Sequence, residues 1–267
     1  MQNWKLTLTY DGTAYHGWQV QPGLVTIQGE LQSALRRIVG RSQEEVPLPQ
    51  GSGRTDTGVH ALGQVASFAL SAPIPPENLK RALNRTLPAA IRVLDALPIA
   101  ETFHARHSAI AKTYEYRIFQ GESCSPFLAR YVHACRWKLD AGALHEAAQQ
   151  VLGEQDFVSL AATDADLATR SEDSGDAPVK STIRTIYSSQ WEEHPGELLV
   201  YRVRGNGFLH HMVRNLVGTM LEIGRGQFPA GSMAHILAAR ARSAAGPTAP
   251  ARGLFLHSVE YPSEATL

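Results

Sequence analysis

Between Lys112 and Phe119 the chain alternates without interruption, with Tyr114, Tyr116 and Ile118 on one side and Thr113, Glu115 and Arg117 on the other. Only an extended strand sends successive side chains to opposite faces, so this stretch belongs in a sheet with two unlike faces. A strand must pair its backbone groups and cover its apolar face, which requires further strands and a layer of helices. Both are legible. Residues 4–10 alternate in the same way and Gln64–Phe68 is β-rich. Between them, a helix is expected from about Thr26, with Ile27, Leu31, Leu35 and Ile38 on one stripe and Gly40 past its end. A second helix over roughly Pro76–Asn84 and a strand at Ile91–Leu94 complete a β-α-β-α-β order in the first hundred residues.

The second part reads as a variation on that order. After the 112–119 strand comes a helix over about Ala141–Leu152, then strands at Thr182–Glu192 and Leu198–Val203. A helix over Phe208–Ile223 carries an apolar stripe from Phe208 to Leu221, an Ala-rich helix covers 231–244, and a strand at Leu254–Tyr261 closes the chain. The 161–180 segment is acidic, aperiodic and rich in Ser and Ala, and is expected to be a loop. The fold class is α+β with mixed, mainly antiparallel strands, in two halves at 1–105 and 106–267.

Bulk properties narrow the classes. The 267 residues suffice for one large or two smaller cores, and 43% hydrophobic with 19% charged residues is an ordinary globular composition. No apolar run approaches the roughly 20 residues of a membrane helix, and the N-terminus lacks a signal layout, so no membrane association is expected. Cys124 and Cys135 form neither a disulfide framework nor a metal-ligand spacing, which makes a reduced, cytoplasmic setting the default. The 25 basic and 25 acidic residues cancel, but residues 154–176 hold seven acids and one base, leaving 24 basic and 18 acidic elsewhere. That is either one solvated acidic loop on a neutral protein or a sign that the remainder offers a basic surface to phosphates.

The most site-like segment is Gly51-Ser52-Gly53-Arg54-Thr55-Asp56-Thr57-Gly58-Val59-His60. Three glycines within eight residues permit positive φ and close backbone approach, and Ser, Thr and Asp bond readily to nearby backbone groups. A turn before a strand, with Asp56 as a turn residue, accounts for this composition by itself. A phosphate-binding P-loop does not fit, because its lysine is absent. His60, His210 and His211 make no complete ligand set and are read as structural or RNA-facing, so no metal is expected.

The run GSGRTDTGVHALGQVASF at 51–68 resembles the catalytic signature of the tRNA pseudouridine synthase A family. Four further blocks agree in family order: YDGTAYHGWQVQ (10–21) with TIQGELQSAL (26–35), FHARHSAIAKTYEYRI (103–118), GNGFLHHMVRNLVGTMLEIGRG (205–226) and APARGLFLHSVEY (249–261). The resemblance implies two related halves joined around a central active-site cleft, the pseudouridine synthase fold. The N-terminal half would carry the catalytic Asp loop, and the C-terminal half the Tyr strand and the Arg helix. It implies a homodimeric isomerase of tRNA modification, acting on uridines 38, 39 and 40 of the anticodon stem-loop. No cofactor is implied, since the reaction has no net oxidation or group transfer.

Residue by residue, the resemblance makes Asp56 the nucleophile. It pairs Arg214, the arginine of a V-R-N run, with that carboxylate, where a guanidinium would offset the cost of burying charge. From the residues alone, Arg214 is equally a surface arginine with its stem on the core edge. Tyr114, first tyrosine of K-x-Y-x-Y, is implied to stack on the target uracil, whereas alternation alone allows a core pair with Tyr116. Arg54 would fill the space of a flipped nucleotide or hold its phosphate, or else be a turn-surface arginine. Arg36, Arg37, Arg41, Lys80, Arg81 and Arg85 are candidate phosphate contacts as a group, though each taken singly reads first as a solvated charge. The rivals are a tRNA-binding or folding chaperone without catalysis and a pseudouridine synthase for other RNA.

Overall fold

A computed structural model describes residues 1–40, 46–162 and 181–263. Arg41 and residues 163–180 of the expected acidic loop lie outside them. The chain forms two compact units, Met1–Thr113 with Leu254–Leu267, and Tyr114–Gly253. Among the described residues no helix is long and apolar enough to cross a membrane.

The first unit contains β1 (Gln2–Tyr10), α1 (Ile27–Val39), β2 (Gln50–Gly51), β3 (His60–Leu70), α2 (Pro76–Thr86) and β4 (Ile91–Ile99). β1 is central, antiparallel to β3 on one side and to β4 on the other. Its alternation is the alternation of burial: Trp4, Leu6, Leu8 and Tyr10 are buried, as are Ile27, Leu31 and Leu35 of α1 and Leu79 and Leu83 of α2. Each such leucine removed from water contributes about 1.5–3 kcal/mol, so this stripe-on-strand packing is the main force holding the unit. Thr26 caps α1 by accepting from the Gly29 amide at 3.3 Å, and Pro76 opens α2 where a missing N–H costs nothing. Within this unit the strand order ends at β4. There Asn84 of α2 accepts from the Val93 amide at 2.8 Å and donates to its carbonyl at 2.9 Å, supplying the partners a further strand would have given.

The second unit contains most of β5 (Ala111–Phe119), then β6 (His133–Ala134), α3 (Ala141–Gln149), β7 (Gly153–Asp156), β8 (Ile183–His194), β9 (Leu198–Gly205), α4 (Met212–Gly224) and α5 (Ser232–Ala238). Its strands run in the order β5-β9-β8-β7, with β8 antiparallel to both β7 and β9. On one face Trp191 and Tyr201 lie 4.9 Å apart between ring centroids, and the Ser189 hydroxyl meets the Tyr201 phenol at 2.7 Å. On another strand Glu115 is buried and receives Arg117 Nε at 2.7 Å and Arg202 Nη2 at 2.8 Å.

The fold is α+β and mainly antiparallel, as expected; the boundaries are where periodicity falls short. β10 (Leu254–Glu260) runs parallel to β3, pairing Phe255 with His60 and Leu256 with Ala61, and therefore belongs to the first unit. The first compact unit runs to Thr113 and takes in β10, a long-range pairing that local pattern does not encode. α4 begins at Met212 and not at Phe208, because His211 adopts φ 60° and interrupts any helix before it. The Ala-rich helix stops at Ala238 for a similar reason, Arg240 having φ 50° and an ion pair to Asp156.

Burial alone would raise the Glu115 carboxyl pKa, but hydrogen bonds from Arg202 and then Arg117 outweigh it and the net shift is downward from the ordinary 4.5. A carboxyl whose folded pKa is depressed adds stability above its unfolded pKa, and that stability is lost as pH falls through the folded value. Glu115→Gln is therefore expected to unfold more readily near neutral pH and to show a shallower loss of stability below about pH 4.5. Urea unfolding midpoints across that range test this, and parallel curves for parent and variant would refute it.

Candidate active site

The Asp56 loop is held from beneath by buried polar groups of the first unit. β2 pairs with β3, and the Ser52 amide extends the ladder by donating to the Val65 carbonyl at 2.7 Å. Ser52 Oγ then donates to Gln64 Oε1 at 2.7 Å, and Gln64 Nε2 donates to the Gly53 carbonyl at 3.0 Å. Lys112 Nζ donates to the Ser52 carbonyl at 2.5 Å. Beside them the Tyr10 phenol meets Thr55 Oγ1 at 2.9 Å. Burial pushes the Tyr10 pKa up to about 12, against smaller opposing effects from Thr55 and Gln64, so it remains a neutral phenol able to donate.

The segment from Asp11 to Trp18 braces the same loop from another side. The Trp18 amide donates to the Thr55 carbonyl at 3.0 Å and the Gly58 amide to the Tyr15 carbonyl at 3.3 Å. This approach requires glycine twice. A Cβ on Gly12 would overlap the Val59 carbonyl, and one on Gly17, at φ +81°, would lie 2.5 Å from the Thr55 carbonyl oxygen. The glycines of YDGTAYHGW are thus placed to let two loops interlock.

Within that frame, the Val59 amide donates to the Asp56 carbonyl at 3.1 Å across a turn with Gly58 at φ 77°. Such a turn needs glycine at its third position. The turn is closed by the Asp56 backbone carbonyl. Asp56 and Arg54 are both half-buried. His60 is buried, accepts from the Gly12 amide through Nδ1 at 3.1 Å and stacks on Phe255 at 4.7 Å, which is a structural role.

In the second unit, Tyr114 and Tyr116 share a face of β5 but differ in surroundings. Tyr116 is fully buried and its phenol donates to the Pro250 carbonyl at 2.8 Å. Burial raises its pKa well above the ordinary 10, with nearby Arg214 and Arg252 opposing. Tyr114 meets Phe208 edge-on, 5.1 Å between centroids at 81°. Arg214 lies in the first turn of α4, where every other residue from Met212 to Gly224 is buried. It is half-buried, and its Nε donates to the Ala249 carbonyl at 2.7 Å. Beyond Nε, the guanidinium carries further donors on its two Nη atoms.

The first unit thus holds Asp56 and Arg54, and the second Tyr114 and Arg214. Tyr10, Gln64 and Lys112 escape a reading of the sequence alone. Each looks like an ordinary strand residue, and a polar side chain in a β-rich run is only a faint signal until its buried partner is known.

In general, a carboxylate on a braced turn can act as a nucleophile or general base, and an aromatic face can stack on a planar base. The model of the tRNA pseudouridine synthase family matches residues 7–108 and 147–262, and the chain belongs to that family. A tRNA pseudouridine synthase A of Solibacter usitatus is 51% identical over 261 residues, covering 98% of this chain and 100% of that protein. Proteins of the same name from Moorella thermoacetica and Bacillus pumilus are 44% and 42% identical, each covering 96% of this chain and 98% of its counterpart. Among solved structures, the archaeal box H/ACA sRNP Nop10-Cbf5 complex is similar over 82% of this chain and 44% of that one, at 12% identity and a TM-score of 0.30.

Lys112 supplies a charge-assisted hydrogen bond to a part-buried carbonyl, an interaction worth about 1.5–3 kcal/mol. Lys112→Met is expected to lose about that much stability in urea unfolding and to slow turnover through a loosened Asp56 loop. Unchanged stability and turnover would show that the Ser52 carbonyl needs no clamp.

Proposed function

We propose that the protein isomerises uridine to pseudouridine at positions 38, 39 and 40 in the anticodon stem-loop of tRNA, with Asp56 as nucleophile. Membership of the tRNA pseudouridine synthase family supports the reaction. The observation that carries the choice of residue is the Asp56 turn, closed by backbone and braced by buried hydrogen bonds on two sides. Catalysis by a carboxylate requires a fixed approach to the sugar, and a rigid loop supplies it.

The reaction breaks the N1–C1′ bond of uridine and forms a C5–C1′ bond to the rotated uracil. The C5 proton is lost and N1 gains a proton, so product and substrate are isomers and no redox partner or cofactor enters. Asp56 attacks the nucleoside and leaves when the new carbon–carbon bond forms; a carboxylate that removes a ribose proton to release uracil is the competing role for the same residue. Arg214 keeps the carboxylate charged through its Nη donors. Tyr114 stacks on the extruded uracil, and Arg54 fills the vacated space or holds the nucleotide's phosphate. In this reading residues 1–105 bring the Asp loop, and residues 106–267 bring the Tyr strand and the Arg helix. The protein works as a cytoplasmic homodimer on tRNA, without a metal. Three neighbouring targets call for recognition of A-form shape and phosphates rather than of base sequence.

Incubation with undermodified tRNA, followed by mapping of pseudouridine at each position, tests this function. Product at 38, 39 and 40 is expected; product outside the anticodon arm would overturn the specificity, and no product at all would overturn the activity. Asp56→Ala is expected to abolish turnover while tRNA affinity stays within a few-fold of the parent, and retained turnover would refute the nucleophile.

A further inference from the structure

Arginine side chains have many rotamers, so one that acts at a set place must be held there. The Ala249 carbonyl holds Arg214 at Nε, and the Ala249 amide in turn donates to the Arg214 carbonyl at 3.1 Å. Ala249 lies in the segment 245–250, which has no helix or strand of its own. Besides that backbone bond, side chains hold the segment, and these converge on Arg242.

Arg242 Nη1 donates to the Gly246 carbonyl at 2.9 Å, and Nη2 donates to Thr248 Oγ1 and to Asn215 Oδ1, each at 3.2 Å. Thr248 Oγ1 donates to Asn215 Oδ1 at 2.6 Å, and Asn215 Nδ2 donates to the Leu160 carbonyl at 2.9 Å. The Gly246 amide donates to Thr219 Oγ1 at 3.0 Å, and a Cβ at Gly218 would overlap the Pro247 carbonyl, so the segment lies directly against α4. Asn215 is fully buried and is the next residue after Arg214. One guanidinium fork thus joins the segment carrying Ala249 to the helix turn carrying Arg214, with a planar geometry that a lysine could not reproduce.

We propose that Arg242 is a positioning residue for Arg214, acting through Thr248, Asn215 and the Ala249 carbonyl; the proposal rests on Arg214 serving the isomerisation. In this role Arg242 acts through Arg214 and not on the reacting atoms. It sets where the Nη donors of Arg214 point, and its loss affects the chemical step more than tRNA binding.

The test uses the full chain and undermodified tRNA. Arg242→Gln and Thr248→Val are each expected to lower kcat by about tenfold or more, since small misplacements of a catalytic group cost up to about a hundredfold. Their tRNA affinity is expected to change by less than about threefold. Thr248→Ser, which keeps the hydroxyl, is expected to restore kcat. In an Arg214→Lys background Arg242→Gln is expected to add no further loss in single-turnover rate, because residues that act through one another are not additive. Should Arg242→Gln fail to fold, Thr248→Val and its Ser counterpart decide the matter. Parent-like kcat in the network variants, or fully additive losses, would overturn the positioning role while a slow Arg214→Lys left Arg214 in place. Parent-like turnover by Arg214→Lys would instead overturn the role of Arg214 and this proposal with it.

Discussion

The catalytic loop of this chain depends on a buried polar cluster that must be satisfied completely or not at all. Ser52, Gln64 and Thr55 lie within the first unit beside the Tyr10 phenol, and each finds a partner at 2.7–3.0 Å. An unpaired member would cost about 1–3 kcal/mol, so alternative loop conformations are penalised several times over. A hydrophobic support of the same volume would hold the loop near this place, but would not select one hydrogen-bonded geometry. That selectivity is what a carboxylate acting on a single glycosidic bond requires.

The same logic appears in the second unit with different parts. α4 is buried along nearly its whole length, so its one half-buried residue, Arg214, has little freedom in where it can emerge. The irregular segment 245–250 then limits the freedom that remains, through the Ala249 carbonyl. In both units a side chain of the proposed site stands on an element whose own backbone is tied down by polar groups. Two glycines in the first unit and Gly218 in the second allow the close backbone approaches this needs.

The strands and helices follow from periodicity because burial in this fold follows periodicity. β1 buries every second residue, and α1 and α2 bury their apolar stripes. Other features are set by tertiary structure. The start of α4, the end of the Ala-rich helix and the membership of β10 are set by His211 and Arg240 in left-handed backbone and by a parallel pairing between residues 60–61 and 255–256. None of these leaves a clear local trace, since a positive φ is uncommon at any residue but glycine and a parallel pairing joins distant segments.

For the site, short contiguous runs of residues were enough to attach the chain to a family, and the roles proposed for Asp56, Arg54, Tyr114 and Arg214 come from those runs. Composition could not separate a turn aspartate from a nucleophile, and in the folded chain the Asp56 backbone does close a turn. What only the tertiary structure decided is the support. Lys112 reaches Ser52 across 60 positions of sequence, Tyr10 reaches Thr55 across 45, and Arg242 reaches Asn215 across 27. Hydrogen bonds between such distant residues carry no periodicity and no spacing rule. They exist because the packed sheets and helices bring polar atoms to within bonding distance and leave no water to replace them.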